Sequence, residues 1–214
     1  MKLTSPSLIA ITFVFLSAEA QDTAAWTDDY SAAAKSAKES DKSLLLLFTG
    51  DWIPMCQAFD HRILNTPAFL EKASQRFELV RLNFPESNRL PVEAAKQNQL
   101  LKDAYRVRGY PSIILTDAEG KPFGINGFQP VSPDEYAARI LEMDQYGKEK
   151  EDARATAGNL KGLERAKWLI DGIPDLPGNL AARYFGDEMK QIIIADPEDT
   201  LGKTPEYTML LNDV

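Results

Sequence analysis

The chain has 214 residues, a formal net charge of -8, 44% hydrophobic residues and one cysteine. That length and apolar share suffice for one ordinary core and a small second unit. The acidic balance argues against a nucleic-acid or anionic-membrane partner, because both demand a concentrated basic face.

The first residues read as a leader. Lys2 supplies a basic start, Leu8 to Leu16 an apolar run, and Ala18-Glu19-Ala20 the small-x-small cleavage pattern. The run falls well short of the ~20 apolar residues that a spanning helix needs. A signal peptide over 1–20 is therefore expected, with the mature chain beginning at Gln21, exported to a periplasmic or secreted location and free of the membrane once cleaved. Lys2 and Glu19 cancel, so the formal charge is unchanged by cleavage.

Trp26 to Ser40 predicts a helix capped by Thr27, and Ser43 to Thr49 (SLLLLFT) a strand buried on both faces. Pro54 sits where a missing N–H costs nothing, at the start of a helix predicted to reach Ile63. Thr66-Pro67 opens another helix. Phe77 to Phe84 alternates as a strand, and Pro91 to Tyr105 returns to helical spacing. Ser112 to Thr116 and Pro122 to Asn126 form a hairpin about Asp-Ala-Glu-Gly, and Ser132 caps a further helix. The order predicts an α/β fold, a small mixed sheet flanked by helices, over 21–147. Residues 148–214 predict a helical C-terminal extension, with Asn159 to Ile170 and Gly178 to Ala195 as a helical hairpin. Leu163, Ala166, Trp168, Leu169 and Ile170 would face Leu180, Tyr184, Ile192 and Ile193, and QIIIAD (Gln191 to Asp196) is the one late stretch with any strand character.

A strand ending Phe48-Thr49-Gly50, then Asp51-Trp52 and a turn closing on Cys56 at a helix start, is followed some fifty residues later by Gly109-Tyr110-Pro111 before a strand. In this the chain resembles the thioredoxin superfamily, and more narrowly the exported bacterial thioredoxin-like proteins whose turn reads Trp-Cys-x-x-Cys. The resemblance spans about Trp26 to Tyr146 and implies a thioredoxin-like fold. In that family the first cysteine of the turn lies at a helix N-terminus, which favours the thiolate, and attacks a substrate disulfide; its position is held here by Ile53. The second, which resolves the mixed disulfide, matches Cys56. A carboxylate that assists proton transfer in the family is matched by Leu47.

Two parts of the dithiol apparatus are thus replaced, and the resemblance implies a redox-inactive turn. The family's Tyr-Pro bond is cis and the edge beside it pairs with extended substrate, so Trp52, Ile53, Pro54, Met55, Tyr110 and Pro111 are the expected binding residues for a polypeptide or partner protein. A plainer role is open to the same residues, with Pro111 fixing a loop and Trp52 capping the core. The alternative is a thiol-disulfide exchanger using Cys56 alone, and a third possibility gives the helical tail the working role. No cofactor is implied. His61, with Asp51 and Asp60 near it, lacks metal-ligand spacing, and Asp196 to Gly202 (DPEDTLG) reads as an acidic helix terminator.

Overall fold

The computed structural model describes residues 25–87 and 90–213. The expected leader, 1–20, lies outside the described residues. Elements follow in the order β1 (Trp26–Thr27), α1 (Tyr30–Ser40), β2 (Ser43–Thr49), α2 (Pro54–Phe59), a π-helical turn (Asp60–Leu64), α3 (Pro67–Ala73), β3 (Phe77–Asn83), α4 (Val92–Ala104), β4 (Ser112–Thr116), β5 (Pro122–Asn126), α5 (Pro133–Ala157), α6 (Gly162–Gly172), α7 (Gly178–Ala195) and α8 (Thr204–Asn212).

The strands order as β1-β3-β2-β4-β5: β1, β3 and β2 pair in parallel, β4 pairs antiparallel with β2, and β5 pairs antiparallel with β4. This is the small mixed sheet flanked by helices that the resemblance implies. Alternation along β2 explains its unbroken apolar run. Leu45 and Leu47 point to a layer built from Phe59, Ile63, Phe69, Tyr136 and Ile140, while Leu44, Leu46 and Phe48 point to one built from Ala33, Ala37 and Tyr105. Both sets are buried, so between Ser43 and Thr49 the strand has no polar position on either face.

Three local features depart from the periodicity. Trp26 and Thr27 pair with Leu79 and Val80 as a short edge strand instead of starting a helix, and the cap of α1 is Asp29, whose carboxylate accepts from the Ala32 N–H at 2.9 Å. The helix from Pro54 changes pitch at Asp60, where the Asn65 N–H bonds back to the Asp60 carbonyl at 2.9 Å, five residues away. Gly147 does not end a helix: α5 runs through it to Ala157. A Cβ at 147 would stand 2.5 Å from the Phe123 ring, so glycine there lets the long helix lie close against β5. Asp144 ties α5 to the sheet, accepting from Ser43 Oγ at 2.5 Å and from Arg76 Nε at 2.8 Å while almost wholly buried.

The C-terminal helices have their own core, in which Ala166 and Leu169 of α6 meet Ala181, Met189 and Ile192 of α7 and Tyr207 of α8. Leu163 and Trp168 remain on the surface, and Tyr184 leaves the hairpin to stack on Tyr105 at 5.6 Å with the rings nearly parallel. QIIIAD is helical throughout all but its final Asp196, which caps α7 and accepts from the Thr200 and Leu201 N–H groups. Asp199 does the same for Thr204 at 2.9 Å, so the acidic segment ends one helix and starts the next. Among the described residues no helix is long and apolar enough to cross a membrane.

Candidate functional site

Strand β2 delivers Gly50, Asp51 and Trp52 to the rim of the sheet. The Ile53 N–H donates to the Gly50 carbonyl at 3.1 Å, which closes a tight turn, and the Gln57 N–H donates to the Ile53 carbonyl at 3.1 Å, which opens α2. Ile53 is thereby the N-cap residue, extended at φ -94° and ψ 118°, with no side-chain hydrogen bond to the first helical N–H groups. Gly50 makes room, because a Cβ there would lie 3.1 Å from both the Ile53 Cδ1 and the Trp52 Nε1. Pro54 follows at the first helical position. Gln57 clamps the turn from within the helix, donating from Nε2 to the Asp51 carbonyl at 2.7 Å.

The side chains of the turn divide sharply by exposure. Trp52 and Met55 are 51% and 53% exposed, whereas Cys56 is 2% exposed. Ile53 is half-buried between them. Leu47, the residue matched to the family's carboxylate, is 1% exposed and packs in the layer of Phe59 and Ile63.

Beside the turn lies the loop Arg106 to Pro111. The Tyr110–Pro111 peptide bond is cis, as the resemblance implies. Ser112 Oγ donates to the Gly109 carbonyl at 2.8 Å and braces the loop against β4. Phe84, which has no marked place in the sequence motifs, connects loop and turn. Its N–H donates to Thr49 and continues the β2–β3 ladder, its carbonyl accepts from Trp52 Nε1 at 3.1 Å, and its ring stacks on Tyr110 at 5.0 Å and on Phe48 at 6.4 Å. Lys102 of α4 places its ammonium over both Phe84 and Tyr110, at 5.3 and 5.1 Å. Exposed Trp52 and the partly buried Phe84 and Tyr110 thus form one connected apolar platform, with Phe84 as the link and the cis Pro111 directly after Tyr110. A strand followed by Asn83-Phe84-Pro85 is the sequence signal for Phe84, but only pairing with β2 reveals that it reaches the turn.

Below the platform Tyr105 is buried, and its hydroxyl donates to the Gly120 carbonyl at 2.8 Å. Burial, reinforced by the neighbouring Tyr30 and Tyr184 phenols, pushes its ionisation far above the usual tyrosine range, so it acts as a neutral donor. Asp60 and His61, which follow the turn closely in sequence, do not join the site. Asp60 forms a two-pronged bond with Arg81 at 2.7 Å, and His61 points out on the exposed side of the π-helical turn.

A family profile described as Thioredoxin-like matches residues 25–118. Among curated proteins, the chain is 33% identical over 114 residues to the Disulfide bond reductase DsbH of Chlamydia pneumoniae, covering 53% of this chain and 69% of that one. It is 27% identical over 99 residues to the Thioredoxin-related protein DsbJ of the same organism, covering 46% of this chain and 28% of the relative. Among solved structures, a DsbH oxidoreductase superposes with a TM-score of 0.54 at 30% identity, covering 66% of this chain and 95% of that one. The turn after β2 and the cis-proline loop before β4 both lie within the matched residues 25–118, and the chain belongs to the thioredoxin-like family.

Proposed function

We propose that the chain is an exported thioredoxin-fold binding protein that holds an extended polypeptide segment or partner protein against Trp52, Ile53, Pro54, Met55, Tyr110 and Pro111, without dithiol chemistry of its own. The observation that carries this is the pairing of an isoleucine at the N-cap of α2 with a sole cysteine that is 2% exposed one turn into the helix. A dithiol cycle needs an accessible nucleophile and a resolver in the same turn. Here the accessible position carries no sulfur and the sulfur has no access. What is left exposed is an apolar ledge beside a backbone edge, which suits the strand-addition mode of peptide capture.

The relative named as a disulfide bond reductase favours a second reading, in which Cys56 alone exchanges with external disulfides. In that reaction the Cys56 sulfur bonds to one sulfur of the external disulfide and the other leaves as a thiolate. Release then requires an external thiol, because the chain has no second cysteine. The two readings divide on access. In the native protein a maleimide should label Cys56 at least 100-fold more slowly than in urea, and the protein should show no turnover on a disulfide substrate. Labelling at the rate of a free thiol, or turnover that disappears in Cys56→Ser, would overturn the binding-module reading.

Export rests on the leader pattern at 1–20. Mass spectrometry of protein secreted from an exporting host should find Gln21, free or cyclised, at the N-terminus; a retained Met1 in the membrane fraction would contradict it.

A further inference from the structure

The C-terminal extension builds one wall of a cleft that abuts the proline loop. The cleft measures about 400 Å³ and runs between Arg106, Arg108 and Gly109 on one side and Pro177, Asn179 and Leu180 at the start of α7 on the other. Its floor is the outer part of the sheet, where Ile125 on the edge strand is 40% exposed. Gly109 and Ser112, which line it, bracket Tyr110 and Pro111. A segment lying along the turn and the proline loop would therefore continue into this cleft without leaving the protein.

Its charge is one-sided. Arg106 and Arg108 line it, both exposed, and no carboxylate does. Lys102 adds a third cation over the Tyr110 ring. None of these three is in a salt bridge among the described residues. The cleft at the opposite end of the sheet, beside Ser43 and Asp117, is built differently: Lys38 pairs with Glu119, Lys42 with Glu78 and Lys148 with Asp41. Among the described residues of a chain of net charge -8, thirteen lysines and arginines pair with an acid, and the three flanking the proline loop are among those that do not.

We propose that this cleft takes the acidic part of the bound polypeptide, so that the partner is an extended segment carrying an apolar residue for the platform and one or more carboxylates for Arg106 and Arg108. The proposal rests on the peptide-binding reading above. The guanidinium forks match carboxylate geometry, and the exposed Ile125 accommodates the apolar stem of a glutamate or a neighbouring aliphatic side chain. Selectivity comes from the local field, which acts over about 10 Å at 0.1 M salt and therefore survives the chain's overall negative charge.

Tethering tests both layers at once. In the Ile53→Cys/Cys56→Ser protein, a single thiol at the turn is equilibrated in a glutathione buffer with capped peptides, each with a central cysteine. The peptides carry leucine or glycine beside it and glutamate, lysine or serine beyond, and the mixed disulfides are quantified by mass spectrometry. Glutamate peptides should exceed lysine peptides by roughly fivefold at 50 mM salt, with the excess vanishing at 0.5 M. The net charge alone would favour lysine, so this preference cannot be a global effect. It should disappear in Arg106→Gln/Arg108→Gln. It should also disappear in Asn179→Glu, which places a carboxylate on the extension's wall at a helix start, where an acid is well tolerated. Preference for leucine over glycine, lost in Tyr110→Ala, reports the platform separately. A leucine preference without a glutamate preference overturns the acidic cleft and leaves peptide binding standing. A glutamate preference that survives either the arginine or the Asn179 change overturns the assignment to this cleft. Absence of both preferences overturns both proposals.

Discussion

An Ile53→Cys variant is expected to oxidise to an internal disulfide with Cys56 and to show disulfide reductase turnover above that of the parent. The backbone is already arranged for it. The Gln57 N–H donates to the Ile53 carbonyl at 3.1 Å, so residues 53 and 56 lie within one helical turn, a separation of about 5 to 6 Å between Cα atoms. That falls inside the ~4.4 to 6.8 Å range that a disulfide spans. The new thiol would sit at the N-terminus of α2, where uncapped N–H groups favour its ionisation, while buried Cys56 would become the resolver. Loss of the half-buried isoleucine should lower stability by only about 1 kcal/mol. Turnover should nevertheless be slow, because Leu47 provides no proton acceptor beneath the turn. Adding Leu47→Asp should raise it by up to ~100-fold. The same change should destabilise the fold by roughly 3 kcal/mol, since residue 47 is 1% exposed in an apolar layer. Thiol counting after oxidation, a turbidity assay on a disulfide substrate and urea denaturation read the three effects. Two free thiols persisting after oxidation would show that the turn does not hold the family's geometry.

Much of this is legible from local pattern. β2, β4 and β5 lie where their apolar runs and the Asp-Ala-Glu-Gly turn place them, because both burial and turn chemistry are written in adjacent residues. Trp52, Tyr110 and Pro111 are legible as neighbours only through the family resemblance. Nothing local in the chain brings residue 52 near 110, and the link between them, Phe84, depends on the pairing of β3 with β2. The same limit explains Tyr184. Its spacing on α7 suits a hairpin with α6, but the competing partner is the Tyr105 ring, which is distant in sequence and reached only through the packing of α7 on the sheet. Gly147 misleads for another reason. Glycine is a common end to a helix, and only the approach of Phe123 shows why it stands in the middle of one. The pitch change at Asp60 has no periodic signature at all, since one extra residue in a turn leaves the apolar spacing of Phe59, Ile63 and Leu64 intact.

Phe185→Ala is expected to lower the stability of the whole chain by about 3 to 5 kcal/mol, the range for emptying a fully buried aromatic site. Phe185 is wholly buried at the point where α7 departs from helical geometry, with φ -125° and ψ 16°. Its ring is covered by the Lys121 ammonium at 4.5 Å, from the edge strand β5 side, and by the Arg154 guanidinium at 5.2 Å, from α5. Each cation has a further tie. Lys121 pairs with Glu188 one helical turn along α7, and Arg154 donates to the Gly172 carbonyl at 2.6 Å at the end of α6. Burial works against the charge on Arg154, lowering its pKa, and the nearby Asp117, Glu188 and Glu151 carboxylates offset that cost. The aromatic ring of α7 therefore lies between Lys121, just before β5, and Arg154 of α5, and removing it leaves two cations facing a void. If the extension and the sheet fold as one cooperative unit, hydrogen exchange should accelerate together in peptides from β2 and from α6 to α8, and urea unfolding should remain a single transition at a lower midpoint. Loss of protection confined to α6 to α8, with β2 unchanged, would instead make the extension a separately folding attachment. In that case the wall of the cleft at Pro177 and Leu180 would open before the sheet does, and the glutamate preference of the tethered peptides should fall in Phe185→Ala while the leucine preference at Tyr110 remains.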